Sequence, residues 1–515
     1  MHESDLLAFK LAIRTGHPGS VMCSYQKTNG TYGCEHAYLL GDVLKGEWQY
    51  PGYVMTDWGG GHSSAKAALA GLDQQSAGEV FDPEVFFDKP LRADLQAGIV
   101  PMSRLDDMVR RILRSFIAVG AMDSPPKRQP IDGAAGLATA QRVAEDGIVL
   151  LKNAHDVLPL SNSGTIVVIG GHADKGVLSG GGSSRIDFTI HGGNAVPGLF
   201  PTTWPGPVVY LPSPPFGALK SALSGAQVTF VDGSDVAAAA RAAGAADVAI
   251  VFATQWAAES VDLPDMDLPE NQNGLIAAVA KANARTVVVL ETNSAVSMPW
   301  LDTVPAVVQA WYPGIGGGPA IAGVLSGRVN PSGRLPITWP RALAQLPRPV
   351  VPGLGFNPTV PSDDVFDYSI EGANVGYKWF DVKGLEPLFP FGHGLGYTRF
   401  AYDALDVTAN GSEVTATFRV RNTGKRAGST VPQLYVRMPE GHATPIRLAG
   451  WSKVTLDPGQ ATTVTVKAEP LTLADYDSAS RRWIIRKGSY TLELADSATQ
   501  VVERATVRLH HANLD

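Results

Sequence analysis

Along the first 122 residues, apolar positions alternate between helical spacing and short continuous runs. Leu6, Leu7, Leu11 and Ile13 suggest a helix, whereas residues 20–24 and 53–56 read as strands, so this part predicts βα units. A helix is predicted over 103–119, with Ser103 as N-cap, Asp106 three residues on, and Leu105, Met108, Ile112, Leu113 and Phe116 on one stripe. Pro125-Pro126 marks a linker.

A second α/β pattern begins near 135. Residues 165–170, 227–231, 246–253, 286–291 and 306–311 read as short buried strands, and 235–243, 271–284 and 319–325 as crossover helices. This alternation predicts a mostly parallel, doubly wound sheet whose functional rim lies at the C-terminal ends of its strands. After a Pro- and Gly-rich connector over 346–400, the period changes to two: Val414, Ala416, Phe418 and Val420 alternate with Thr415, Thr417 and Arg419. Further strands at 434–436, 463–466 and 490–494 predict a β-sandwich over 401–510 of the fibronectin type III kind. The expected organisation is 1–122, 135–345, 346–400 and 401–510.

Composition narrows the function classes. The 515 residues are 44% hydrophobic and 18% charged, with a net charge of −7 and a pI near 5.9. There is no basic patch for nucleic acid and no apolar run near the roughly 20 residues that cross a bilayer, so a small polar ligand is expected. The 55 glycines and 37 prolines fit many loops. Cys23 and Cys34, the only cysteines, are close enough in sequence for one local disulfide or to remain two buried thiols. The acidic start of the chain carries no export signal, and a longer precursor would place the protein in the periplasm or outside the cell.

For chemistry, the segment Gly52-Tyr53-Val54-Met55-Thr56-Asp57-Trp58 runs an apolar strand into a carboxylate beside a large aromatic. A carboxylate at a strand's C-terminal end reaches the mouth of an α/β fold, and Trp58 offers a flat face to a pyranose; locally, the same Asp equally suits a turn or a helix N-cap. Gly180-Gly181-Gly182-Ser183-Ser184-Arg185 invites a phosphate-loop reading, but no G-x-G-x-x-G or Walker spacing follows the preceding strand, and residues 186–189 do not read as a helix. The histidines form no H-E-x-x-H, and there is no C-x-x-C or G-x-S-x-G elbow, so no metal or other cofactor is expected.

The ordered set Gly19-Ser20-Val21-Met22-Cys23-Ser24-Tyr25, Val54-Met55-Thr56-Asp57-Trp58, Asn330-Pro331-Ser332-Gly333-Arg334-Leu335-Pro336 and Phe391-Gly392-His393-Gly394-Leu395 resembles glycoside hydrolase family 3, the β-glucosidase and β-xylosidase family. The resemblance implies a (β/α)8-type barrel, an α/β sandwich and a fibronectin type III-like module. It implies Asp57 as nucleophile, although the preceding residue is Thr56 where the family usually has Ser. It also implies Glu259 as acid/base, in the loop that continues to Asp262, Asp265, Asp267 and Glu270, although Ser260, Val261 and Leu263 depart from the family's motif there. The activity implied is that of a retaining, exo-acting β-glycosidase of the β-glucosidase type; the alternative is a noncatalytic carbohydrate-binding or assembly protein of the same descent.

Such a mechanism needs two carboxyl groups about 5–5.5 Å apart and an acid/base whose pKa is raised, which loop closure and the Asp57 charge would provide. Tyr25 is expected either to hold Asp57 by a hydrogen bond or to be a half-buried core tyrosine, and Ser183 or Ser184 to border the sugar. A whole barrel takes about 250 residues and only about 120 precede the Pro-Pro linker, so a partial barrel is expected. An open barrel edge then calls for self-association or a complementing chain.

Overall fold

Pairing of two short apolar strands sets the frame of the first unit. Ser20–Cys23 and Tyr53–Thr56 run parallel, with Ser20 opposite Tyr53 and Cys23 opposite Thr56, and the helical segment Ala37–Glu47 lies between them in sequence. That is the expected βα arrangement. The computed structural model describes residues 1–82, 84–185, 194–196, 198–350 and 365–514, in two units: residues 1–131 with 478–481, and residues 132–477 with 482–515. The expectations for 186–189 and for 351–364 of the connector lie outside the described residues.

In the first unit, Cys23, Cys34, Leu40, Leu44, Tyr50, Val54, Ala67 and Leu72 pack into one core, and Cys23 and Cys34 are joined by a disulfide. The helix Met102–Ala118 has Pro101 as its N-cap, two residues before the expected Ser103. Ser103 therefore lies in the first turn instead of capping it. The reason is that a proline at a helix entrance has no N–H to leave unsatisfied, and the Pro101 carbonyl already accepts the Arg104 N–H. Of the predicted stripe, Met108 is buried while Leu113 and Phe116 are exposed.

The second unit contains a six-stranded sheet in the order Gln227–Val231, Thr165–Ile169, Val248–Gln255, Thr286–Thr292, Ala306–Gln309, Val149–Asn153. The first five are parallel and the last is antiparallel. The parallel strands are those the apolar runs predict; the antiparallel edge was not anticipated. Both faces are covered, because alternate residues of each strand enter different cores: Ile250, Phe252, Val287 and Val289 on one side, Ala249, Val251, Val288 and Leu290 on the other. Helices Val236–Gly244 and Gln272–Ala282 supply crossovers as expected, the first capped by Asp235, which accepts the Ala238 N–H at 2.9 Å. Gly317–Ser326, expected as a third, follows the last strand of the sheet in sequence and joins no two of its strands; Pro215–Ala222, between Thr165–Ile169 and Gln227–Val231, takes that place.

The period-two segment forms antiparallel sheets. Phe400–Asn410, Glu413–Asn422 and Ala461–Lys467 make one, and Ile446–Trp451, Gln433–Arg437, Gly488–Ser497 and Gln500–Leu509 the other. Val414, Ala416, Phe418 and Val420 are all buried, as their alternation requires.

Candidate active site

Strand Tyr53–Thr56 delivers Asp57 because both of its ends are fastened. Asp73, completely buried, accepts the Val54 N–H at 2.8 Å while forming ion pairs of 2.7 Å with Lys45 and Arg104. At the other end, the Thr56 hydroxyl accepts the Ser76 N–H, and the Asp57 N–H points to the Cys23 carbonyl on the parallel partner strand at 3.4 Å. The chain then turns sharply: the Asp57 carbonyl accepts the Gly60 N–H, and Gly59 has a φ of 86°, in the region that favours glycine. This leaves the Asp57 side chain partly exposed, with Oδ1 accepting the Trp58 N–H at 2.7 Å.

Trp58 is 54% exposed, and its ring stacks on Phe81 with centroids 4.8 Å apart and planes within 5°. Next to the carboxylate there is thus a solvent-facing aromatic surface of the kind that receives the apolar face of a sugar ring. The sequence reading missed Phe81, since nothing in its local spacing marks it. Tyr25, 44% exposed, is not a core tyrosine.

In the second unit the loop after strand Val248–Gln255 carries Glu259. Its carboxylate is exposed, and Oε2 accepts the Ser183 N–H at 2.7 Å. The turn that offers this N–H is laced to the Glu259 loop: the Gly181 N–H donates to the Ala257 carbonyl at 3.1 Å, and Gly181 and Ala258 form a parallel bridge. Gly182 has a φ of 79°, and a Cβ at that position would collide with the Cβ of Glu259. Ser183 and Glu259, selected separately in the sequence, are therefore in contact. Two of the competing acids are otherwise engaged: Asp265 Oδ1 accepts the Asp267 N–H at 2.8 Å, and Asp267 Oδ1 accepts the Ser297 hydroxyl.

The electrostatics of Glu259 correct one expectation. The Ser183 hydroxyl and N–H stabilise the charged form and hold the carboxyl below the usual glutamate range, where a raised value was expected. An exposed carboxylate suffers too little desolvation to offset these hydrogen bonds.

One group not singled out in the sequence lies deeper in the same unit. Glu291, wholly buried near the end of strand Thr286–Thr292, accepts the Leu178 N–H at 2.6 Å, and burial pushes its carboxyl up to about 8. A glutamate ending the apolar run Val287-Val288-Val289-Leu290 was the available signal. Among the described residues no His, Cys, Asp and Glu cluster suits a metal ion, and no helix is long and apolar enough to cross a membrane.

Comparison with known proteins agrees with this layout. Residues 1–115 match the glycosyl hydrolase family 3 N terminal domain, 148–397 the glycosyl hydrolase family 3 C-terminal domain, and 430–498 a fibronectin type III-like domain. The chain is 36% identical to thermostable beta-glucosidase B of Acetivibrio thermocellus, over 99% of this chain and 66% of that protein. It is 32% identical to beta-glucosidase BoGH3A of Bacteroides ovatus, over 99% and 71% respectively. Among solved structures, the beta-D-glucoside glucohydrolase of Trichoderma reesei superposes with a TM-score of 0.85 at 30% identity, over 99% of this chain and 75% of that one. The beta-glucosidase DesR of Streptomyces venezuelae, in complex with D-glucose, gives 0.84 at 29% identity, over 98% and 77%. The chain spans about two thirds of the length of the first of these relatives. With both catalytic-domain patterns and the β-sandwich present in the family's order, the chain belongs to glycoside hydrolase family 3.

Proposed function

We propose that this protein is a retaining, exo-acting β-glycosidase of the β-glucosidase type, with Asp57 as nucleophile and Glu259 as acid/base. The observation that carries the reading is Asp57 itself: a partly exposed carboxylate at the C-terminal end of a braced parallel strand, beside the open Trp58–Phe81 face. Family membership supports the reaction class, and the beta-glucosidases it resembles support the substrate class.

In the first step an Asp57 oxygen attacks the anomeric carbon, the bond to the aglycone oxygen breaks, and Glu259 gives that oxygen its proton. In the second, water attacks the anomeric carbon, Glu259 takes the water's proton, and Asp57 leaves as carboxylate. The Ser183 contact favours the ionised Glu259 that the second step uses. The first step uses the protonated form, so a substrate that displaces Ser183 from Glu259 would favour it. Trp58 and Tyr25 line the sugar on the Asp57 side of this scheme, and Ser183 on the Glu259 side. The division into 1–122, 135–345, 346–400 and 401–510 belongs to the same proposal, as does self-association or a complementing chain. Val109, Leu113, Phe116 and Ile117, exposed on helix Met102–Ala118, support the last point.

The test is release of aryl alcohol from aryl β-glucoside and β-xyloside by the wild type and by Asp57→Ala, with size-exclusion chromatography of both. Turnover that falls roughly 1,000-fold or more in the variant supports the assignment. Turnover retained in Asp57→Ala, or sugar binding without hydrolysis in the wild type, overturns it.

A further inference from the structure

Both segments that meet at Glu259 leave from strands that touch Glu291. The Glu259 loop continues strand Val248–Gln255, whose Thr254 stands opposite Glu291 in the parallel register. The Gly180–Ser183 turn continues strand Val177–Ser179, whose Leu178 N–H is held by Glu291 Oε2. Among the described residues that short strand pairs with Val209–Leu211 and not with the six-stranded sheet, so the Glu291 carboxyl is a side-chain tie between it and the sheet. Ser183 lies only five positions after Leu178, and a Cβ on Gly180 would press on the Tyr312 ring, whose hydroxyl donates to the Gln255 carbonyl at 2.6 Å. The turn has little room to shift without shifting Leu178.

We propose that Glu291 is a positioning residue for Glu259: its carboxyl fastens strand Val177–Ser179 to the sheet and so sets the turn whose Ser183 N–H holds the acid/base. This rests on Glu259 being the acid/base. A carboxyl completely out of water is an expensive way to hold one N–H, and its Oε1 has no hydrogen-bond partner among the described residues. An aliphatic side chain would fill the space but could not accept the Leu178 N–H. Among the described residues, the titratable groups facing Glu291 are Tyr210 and Tyr312, both pushed up by burial.

The experiment compares wild type, Glu291→Leu, Glu291→Gln and Glu259→Ala on two substrates: cellobiose, whose departure needs a proton, and 2,4-dinitrophenyl β-glucoside, whose departure does not. The expected result is a kcat/KM for cellobiose reduced at least tenfold in Glu291→Leu, with the dinitrophenyl substrate changed less than about threefold and Glu291→Gln restored towards wild type. Equal losses on both substrates, or no rescue by Gln, overturn the proposal. If Glu259→Ala shows no such leaving-group dependence, the assignment of Glu259 is what fails.

Hydrogen exchange on the same full-length proteins gives a readout independent of turnover. Peptides covering 177–184 and 256–260 should exchange at least tenfold faster in Glu291→Leu and at the wild-type rate in Glu291→Gln; unchanged exchange in Glu291→Leu overturns the proposal. Should Glu291→Leu fail to fold, wild type and Glu291→Gln decide it. Above about pH 8 the wild type alone should lose protection in 177–184 after correction for intrinsic rates, and identical profiles overturn the proposal.

Discussion

Ser183 donates its backbone N–H to Glu259 Oε2 over 2.7 Å, so the proposed acid/base is held by a residue 76 positions earlier in the chain. The Ser183 hydroxyl adds to the same effect, and together they keep the Glu259 carboxyl below its ordinary range. Ser183→Ala removes the hydroxyl and should raise that pKa, moving the alkaline limb of kcat/KM to higher pH. A pH profile checks this; an unmoved or lowered limb would contradict it. Gly182→Ala should be far more damaging, since the new Cβ meets Glu259 in a backbone conformation that disfavours it.

Asp73 braces the strand that ends at Asp57. Its removal in Asp73→Ala leaves Lys45 and Arg104 facing each other and the Val54 N–H without its acceptor. Burial already pushes Lys45 down to about 8 against the pull of Asp73. Breaking such a pair should cost about 3 kcal/mol or more, read as an earlier unfolding transition of the first unit in urea. A loss below about 1 kcal/mol would mean that the strand is held by packing.

Glu291 should make the second unit less stable as pH rises. Its carboxyl is raised from 4.5 to about 8, so the folded form keeps a proton that the unfolded chain releases between those values. Its contribution is complete below about pH 4.5, declines by up to about 1.4 kcal/mol per pH unit, and is gone above about 8. Tm measured from pH 5 to 8.5 should therefore fall more steeply in wild type than in Glu291→Gln. Parallel curves would show that this group does not carry the dependence.

The Cys23–Cys34 bridge closes a loop 11 residues apart in sequence, and the Cys23 carbonyl faces the Asp57 N–H. Reduction, or the double change to serine, should destabilise the first unit by about 2–4 kcal/mol. Differential scanning calorimetry with and without reductant measures it. Comparable Tm values in both conditions would show that the hydrophobic core around Tyr50 and Leu72 suffices.

Most of the architecture was legible because it depends on local periodicity. The runs around Ile250, Val288 and Val307 read as strands buried on both faces, and the alternation from Val414 to Val420 as a half-buried strand, and both form as such. The edge strand Val149–Asn153 escaped notice because its four-residue apolar stretch, Ile148 to Leu151, looks like the end of the preceding helix; only pairing with Ala306–Gln309 distinguishes the two. Ser103 is not the cap because Pro101, two residues earlier, already occupies that position.

The site divides in the same way. Sequence alone singled out the residues proposed to bear chemistry, since Asp57 ends an apolar strand beside Trp58, Glu259 follows another, and the ordered motifs point to the family. Tertiary structure decided what each of those residues experiences. The stacking of Phe81 on Trp58, the hold of Ser183 on Glu259 and the burial of Glu291 against Leu178 join positions from 23 to 113 residues apart. Hydrogen bonding and desolvation depend on distance in space, and no local pattern carries that information.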